Sequence, residues 1–276
     1  MKTKLNLFWF RRDLRLNDNH GLYEALQSEL PVLPIFIFDT NILDKLENKE
    51  DKRVDFIFQA LEKLNEYLEK QGKSIQIFYG KPLEIYENLS QQYEIGNVFC
   101  NEDYEPYAIK RDQEIKDFLA SKNINFYQFK DQVIFQKDEI VKADGKPYTV
   151  YTPYSKQWLL KFNDQNIEFF SSEKKLDNLL NIEKHNITLE HIGFKKTNYL
   201  FESPKINLEI LEKYHETRNL PTKETSQMSV HLRFGTISTR KLVKTACKLN
   251  DNTYLKELIW REFFMQILWH FPKVVH

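Results

Sequence analysis

The sequence predicts an α/β chain: a doubly wound parallel sheet of five strands, then a linker, then helices. Three observations predict it. Over the first 130 residues, short apolar runs alternate with longer amphipathic ones. The apolar runs have the length and flanks of strands buried on both faces. From residue 204 onward the pattern becomes helical. Hydrophobic residues make up 41% of the chain and aromatics 14%, enough for a packed core, while 7 Gly and 9 Pro argue against turn-rich all-β architectures.

In order, 5–10 is a buried-strand pattern and 32–38 (VLPIFIF) a second, followed by 74–79 (SIQIFY), 97–100 and 124–129. Helical segments lie between them. The clearest is 53–70, where Val54, Ile57, Phe58, Leu61, Leu64 and Leu68 form one stripe. Others are 19–28, 82–92, with Pro82 suited to a first turn, and 106–121. Strand and helix in alternation imply a parallel, Rossmann-like sheet with helices on both faces. No GxGxxG follows the first strand. Arg11-Arg12-Asp13-Leu14-Arg15 stands there, so no nicotinamide dinucleotide site is expected, and the Arg-Arg-Asp turn is assigned to packing.

Three parts are expected: an α/β domain over 1–130, a linker over 131–200 and the start of a helical domain over 201–276. The middle part, with DGKPYTVYTPYSKQW and a Lys/Asn-rich section, reads as irregular. It is long for a free linker and is expected to wrap over neighbouring surfaces. Helices are predicted over 204–218, 236–249 and 253–271.

Lys+Arg and Asp+Glu balance at 40 each, but from Glu202 onward 12 basic residues face 8 acidic ones. That tilt suits an anionic partner such as phosphate or nucleic acid. Cys100 and Cys247 lie far apart, without zinc spacing or need of a disulfide, so no metal is expected. The N-terminus MKTKLNLFWFRRDLR is too briefly apolar for a signal peptide, and no run reaches membrane-spanning length. A cytoplasmic protein without a membrane partner is the expectation.

Two segments carry chemistry. In YHETRNLPTKETSQMSVHLRFG, a Thr-Ser pair ahead of a helix offers hydroxyls and free N–H groups to phosphate, and Tyr214 and Arg218 sit four apart on one face. A capped helix with a solvated Arg fits the same spacing. In TYLKELIWREFFMQILWHF, Glu257, Trp260, Arg261 and Phe264 lie at i, i+3, i+4 and i+7. An indole beside a carboxylate can stack on a base and accept its N–H bonds. Periodicity by itself favours an amphipathic core helix with an internal Glu257–Arg261 pair.

Several motifs in register resemble one family. FWFRRDLRLNDNHGLYEAL, VLPIFIFD, KPYTVYTPYSKQW, TSQMSVHLRFGTIS and ELIWREFF are similar, in order and spacing, to landmarks of the DNA photolyase/cryptochrome family, of the class I deoxyribodipyrimidine type. The TSxLSxxLxxGxxS motif carries Met228 in its Leu position. The resemblance implies flavin adenine dinucleotide (FAD) held by Tyr214, Thr225, Ser226, Gln227, Met228, Ser229, Tyr254 and Arg261. Tyr254 stands where many relatives have a Trp. It further implies that Glu257 and Trp260 meet a flipped-out pyrimidine dimer and that Arg218 lies at the DNA interface. The implied activity is light-driven, carbon–carbon-cleaving repair of pyrimidine dimers. The alternatives are a blue-light sensor of the cryptochrome type, or a non-catalytic remnant folding only its α/β part. Relatives with a folate antenna carry Asn-Glu where Tyr107-Ala108 stands, so folate is not expected and the antenna chromophore is left unassigned. Family members run well past 400 residues, so a fragment without full activity is expected. Phe263, Phe264, Ile267, Leu268 and Trp269 would then lack partners and favour self-association.

Overall fold

The computed structural model describes residues 2–163 and 167–275. Five parallel strands, β1 (Lys4–Phe10), β2 (Val32–Asp39), β3 (Gln76–Gly80), β4 (Glu94–Asn101) and β5 (Asn125–Phe129), form one sheet in the order β3-β2-β1-β4-β5. The chain winds one way from β1 through β3 and then returns to β4, which sends crossover helices to opposite faces. These helices are α1 (His20–Leu26), the short α2 (Thr40–Leu43), α3 (Lys52–Leu68), α4 (Pro82–Gln92) and α5 (Pro106–Ser121). Side chains of β1 alternate between two cores. Phe8 and Phe10 pack with Leu22 and Leu26 of α1 and Val54 and Leu61 of α3. Leu5, Leu7 and Trp9 pack with Tyr86 and Leu89 of α4 and Ile115 and Leu119 of α5. The doubly wound sheet predicted from the sequence is therefore present.

The segment expected to be irregular, 131–200, is shared between two cores. Its first part contains a helix, α6 (Tyr151–Asn163), where none is predicted. Pro153 falls in the first turn, where its missing N–H costs nothing, and Tyr151, Tyr154 and Trp158 recur at helical spacing. Phe135, Tyr154 and Trp158 belong to the core of the C-terminal helices. The later part lies along the sheet. Leu176, Leu179, Leu189, Ile192 and Phe194 join the α1/α3 core. Leu180 N donates to Val32 O (2.8 Å), and Thr197 donates to buried Asp55 through its N–H (2.7 Å) and hydroxyl (2.6 Å).

The helix predicted over 204–218 is two helices, α7 (Leu208–Glu212) and α8 (Tyr214–Thr217). Asn207 starts α7 late by accepting from Glu209 N (3.0 Å) and Ile210 N (3.3 Å), and Lys213 interrupts the run with ψ near 5°. After α9 (Met228–Phe234), Ser238 caps α10 (Thr239–Ala246) by accepting from Lys241 N (3.0 Å), so that helix is shorter than the predicted 236–249. α11 (Thr253–His270) fits its prediction within a residue.

Buried charges tie this helical part to the sheet. Asp131 accepts from Arg15 (2.7 Å) and Arg240 (2.9 Å), and Arg240 also meets Asp18 (3.0 Å). Burial alone would raise the Asp131 pKa, but the two guanidinium groups prevail and hold it at about 2. Gly235 ends α9 at φ 65°, and a Cβ there would overlap the Arg12 carbonyl, so the close approach requires glycine.

Candidate functional site

An open cavity of about 490 Å³ lies where α8, α9 and α11 face the end of the sheet. Tyr214, Ser226, Met228, Ser229, Tyr254, Glu257 and Arg261 line it, and Arg12, Tyr104, Glu105 and Gln132 contribute from the sheet side. Seven of the eleven residues singled out in the sequence thus converge on one wall. Tyr214 meets Tyr254 edge to face at 5.0 Å, and the Tyr254 hydroxyl donates to Ser226 Oγ (3.3 Å). Burial raises the pKa of both phenols, so both stay protonated donors at neutral pH.

Four expected residues lie off this wall. Thr225 and Gln227 are exposed. Gln227 takes the left-handed conformation (φ 57°) that turns the chain into α9, and makes no side-chain cap. Trp260 lies about 100° around α11 from Arg261, as adjacent helical positions must. Its ring is not part of the cavity lining: it is stacked on Tyr151 at 3.6 Å and lies 5.5 Å from cavity-lining Phe264, and the Tyr151 hydroxyl donates to Lys256 O (2.9 Å). Arg218 follows α8, lies over the Tyr214 ring at 5.6 Å and pairs with Glu257 at 2.5 Å. The internal Glu257–Arg261 pair open from spacing is not formed.

Arg261 has no ion pair among the described residues. Its guanidinium donates to two carbonyls, Gln132 O (2.7 Å) and Leu232 O (3.4 Å). Burial lowers its pKa to about 10, so it remains charged and faces the cavity without a carboxylate partner. With the Ser226 and Ser229 hydroxyls alongside, this wall offers hydrogen-bond donors and positive charge to an anionic group. The buried phenol of Tyr104 has no hydrogen-bond partner among the described residues.

Sequence reasoning passed over Glu262, beside Arg261. Its carboxylate accepts from Ile134 N (2.6 Å), Phe135 N (2.9 Å) and Trp158 Nε1 (2.6 Å). Burial pushes its pKa up to about 7 against these three donors. Residues 261 and 262 together fasten 132–135 and α6 to α11. An acid at i+4 from Leu258 and i+3 from Ile259, on the buried side of the helix, was the available signal.

The apolar residues expected to lack partners divide. Phe263 is buried against Tyr154 (5.1 Å), whereas Phe264 is 60% exposed and Ile267, Leu268 and Trp269 are half-buried. A second cavity, about 590 Å³, is lined by Asn41, Lys45, Lys81, Glu84, Tyr107, Lys110 and Glu114. Its lysines 81 and 110 are matched by Glu84 (3.0 Å) and Glu114 (4.0 Å), and Tyr107 donates to Asp39 (2.5 Å). No helix among the described residues is long and apolar enough to cross a membrane.

Comparison with known proteins agrees with this architecture. The chain is 27% identical over 296 residues to a deoxyribodipyrimidine photo-lyase of Synechococcus, covering 97% of this chain and 61% of that protein. It is 28% identical to an uncharacterized 31.6 kDa protein of another Synechococcus strain, covering 95% of this chain and all of that one. An archaeal photolyase structure from Sulfolobus tokodaii, described with two FAD molecules, shares the fold at a TM-score of 0.76 with 21% identity, over 99% of this chain and 61% of that chain. This chain therefore spans about three fifths of the length of the photo-lyases it first matches. A family model described as DNA photolyase matches residues 6–172, more than half of the sequence, and the chain belongs to that family.

Proposed function

We propose that this chain holds flavin adenine dinucleotide in the 490 Å³ cavity and that, within the complete family architecture, it serves light-driven repair of pyrimidine dimers in cytoplasmic DNA. One observation carries the reading: Tyr214, Ser226, Ser229, Tyr254 and Arg261, far apart in sequence, line a single cavity whose one unpaired guanidinium among the described residues suits a diphosphate. Ser226 and Ser229 donate hydroxyl hydrogen bonds to it, Tyr214 adds a phenol, and Arg261 supplies charge from a desolvated position. Thr225, Gln227 and Met228 shape the turn that brings these groups together. Reduced flavin, when bound, supplies on blue-light excitation the electron that splits the cyclobutane ring.

The remaining work falls to side chains. Glu257 at the cavity wall accepts N–H bonds from an extruded base, Trp260 stacks on it once Tyr151 gives way, and Arg218 meets phosphate. Under this reading, residues 1–130 form the α/β domain and 201–276 the start of the flavin domain. The 131–200 segment joins them and lends its first part to the helical core.

The purified chain, incubated with FAD and desalted, should retain flavin absorption in the near-UV and visible, and Arg261→Ala should lose it. A colourless wild-type protein would remove the cavity as a flavin site for this chain. If flavin is retained, failure to restore dimer-bearing DNA under blue light would favour the sensing alternative.

A further inference from the structure

The two side chains proposed to meet an extruded base are both engaged by other groups of the same chain. Glu257 is paired with Arg218 at 2.5 Å, and the ring of Trp260 is covered by Tyr151 at 3.6 Å, nearly parallel at 6°. A guanidinium on the carboxylate and an aromatic ring on the indole are the contacts a base would supply through its N–H groups and its π face. We infer that Arg218 is a specificity-determining residue that exchanges partners: it leaves Glu257 for a strand phosphate, and only then can Glu257 accept from the base. The inference rests on the DNA-binding reading above.

Three observations make the exchange feasible. The Arg218 and Glu257 side chains are 33% and 32% exposed, so phosphate can reach the guanidinium, and the pair is held only as strongly as a partly solvated one. Arg218 stands at the C-terminal end of a four-residue helix, next to an exposed segment from 219 to 225, so it can swing without disturbing a core. The swing also conserves charge, because the guanidinium trades one anion for another and the freed carboxylate gains donors from the base. Arg218 additionally rests on Tyr214, a cavity-lining residue, so its departure changes one edge of that wall as the strand arrives. The consequence is selectivity. A lesion within a continuous strand opens its own site, whereas a base without flanking phosphate meets a carboxylate already taken.

A double-mutant cycle tests the exchange, with Arg218→Ala, Glu257→Ala and the double variant. Binding is read by fluorescence anisotropy on a single strand of about ten nucleotides that contains one cyclobutane dimer. In wild type, binding gains a phosphate contact and a base contact but gives up the internal pair. Each single change therefore removes one gain and also the cost of breaking the pair. The affinity loss of the double variant should exceed the product of the two single losses by about 1.4- to fivefold, the range for a partly exposed ion pair. Unfolding of the same four proteins without DNA should return the same coupling factor, which also identifies any variant damaged in its fold. Losses that multiply simply, or a double loss smaller than the product, would overturn the exchange while leaving DNA binding in place. A wild-type chain that binds no strand would instead remove the DNA-binding reading, and the exchange with it.

Discussion

Arg240 and Arg218 each reach a carboxylate within 3.0 Å, yet they do opposite work. The Arg240 side chain is 7% exposed and shares Asp131 with Arg15 while also binding Asp18, so four charges neutralise one another in a closed network. The Arg218 side chain is 33% exposed, and its partner Glu257 lines the cavity. The difference teaches where this protein can afford to change partners. A buried charge that loses its counterion cannot recover solvation, so such a network persists or the fold fails. A half-solvated pair trades its partner for water or a ligand at little cost.

The sharpest way to break this contrast is Asp131→Ala, which leaves two buried guanidinium groups without their shared acceptor. We expect a loss of about 3–5 kcal/mol in urea unfolding. The network has a pH signature as well. Asp131, held at about 2 in the folded chain against an ordinary 3.8, adds stability that is present above pH 4 and fades as pH falls toward 2.

Glu262 runs in the opposite direction. Its folded pKa of about 7 lies above the ordinary 4.5, so the folded state holds this proton more tightly than the unfolded one. Its contribution is full below pH 4.5 and declines by about 3 kcal/mol as pH rises to 7. Stability measured against pH should show that decline in wild type, and Glu262→Gln should flatten it. A wild-type curve parallel to that of the variant would show that the three donors keep the carboxylate ionised throughout.

The smallest effect belongs to Arg218→Ala, expected to cost about 0.2–1 kcal/mol of stability. A cost as large as that of Asp131→Ala would mean that the Arg218 pair is structural, and would erase the distinction drawn between the two arginines.

The sheet was legible from the sequence because its strands are apolar on both faces and its helices carry clean stripes. The stripe of Val54, Leu61 and Leu68 needed no tertiary information. α6 was not read as a helix, since Pro153 and the polar stretches on either side suggest irregular chain. The buried faces of Tyr154 and Trp158 become meaningful only beside Phe135 and Glu262. The split of 204–218 was partly readable, because Asn207 is a good N-cap, whereas the break at Lys213 has no strong local signal.

At the cavity, residue types and spacing pointed to Tyr214, Ser226, Glu257 and Arg261. What they could not reveal is what each side chain touches. Helical spacing grouped Trp260 with Arg261, but adjacent positions diverge by about 100°, and α6 was there to receive the indole. The Arg218–Glu257 contact joins residues 39 apart across two helices, which no local periodicity encodes.

The hydrogen bond from Trp158 to Glu262 spans 104 residues of sequence. Between its ends, the chain leaves the helical core, runs along the sheet through Leu176 to Phe194, and returns. A ribosome adding about 5–20 residues per second therefore exposes Phe135, Tyr154 and Trp158 for about 5–20 s before α11 emerges to cover them. During that interval the sheet can already be closed. The newborn protein passes through a stage in which a finished α/β unit carries a bare aromatic patch, the stage at which chaperones or neighbouring chains have most to bind.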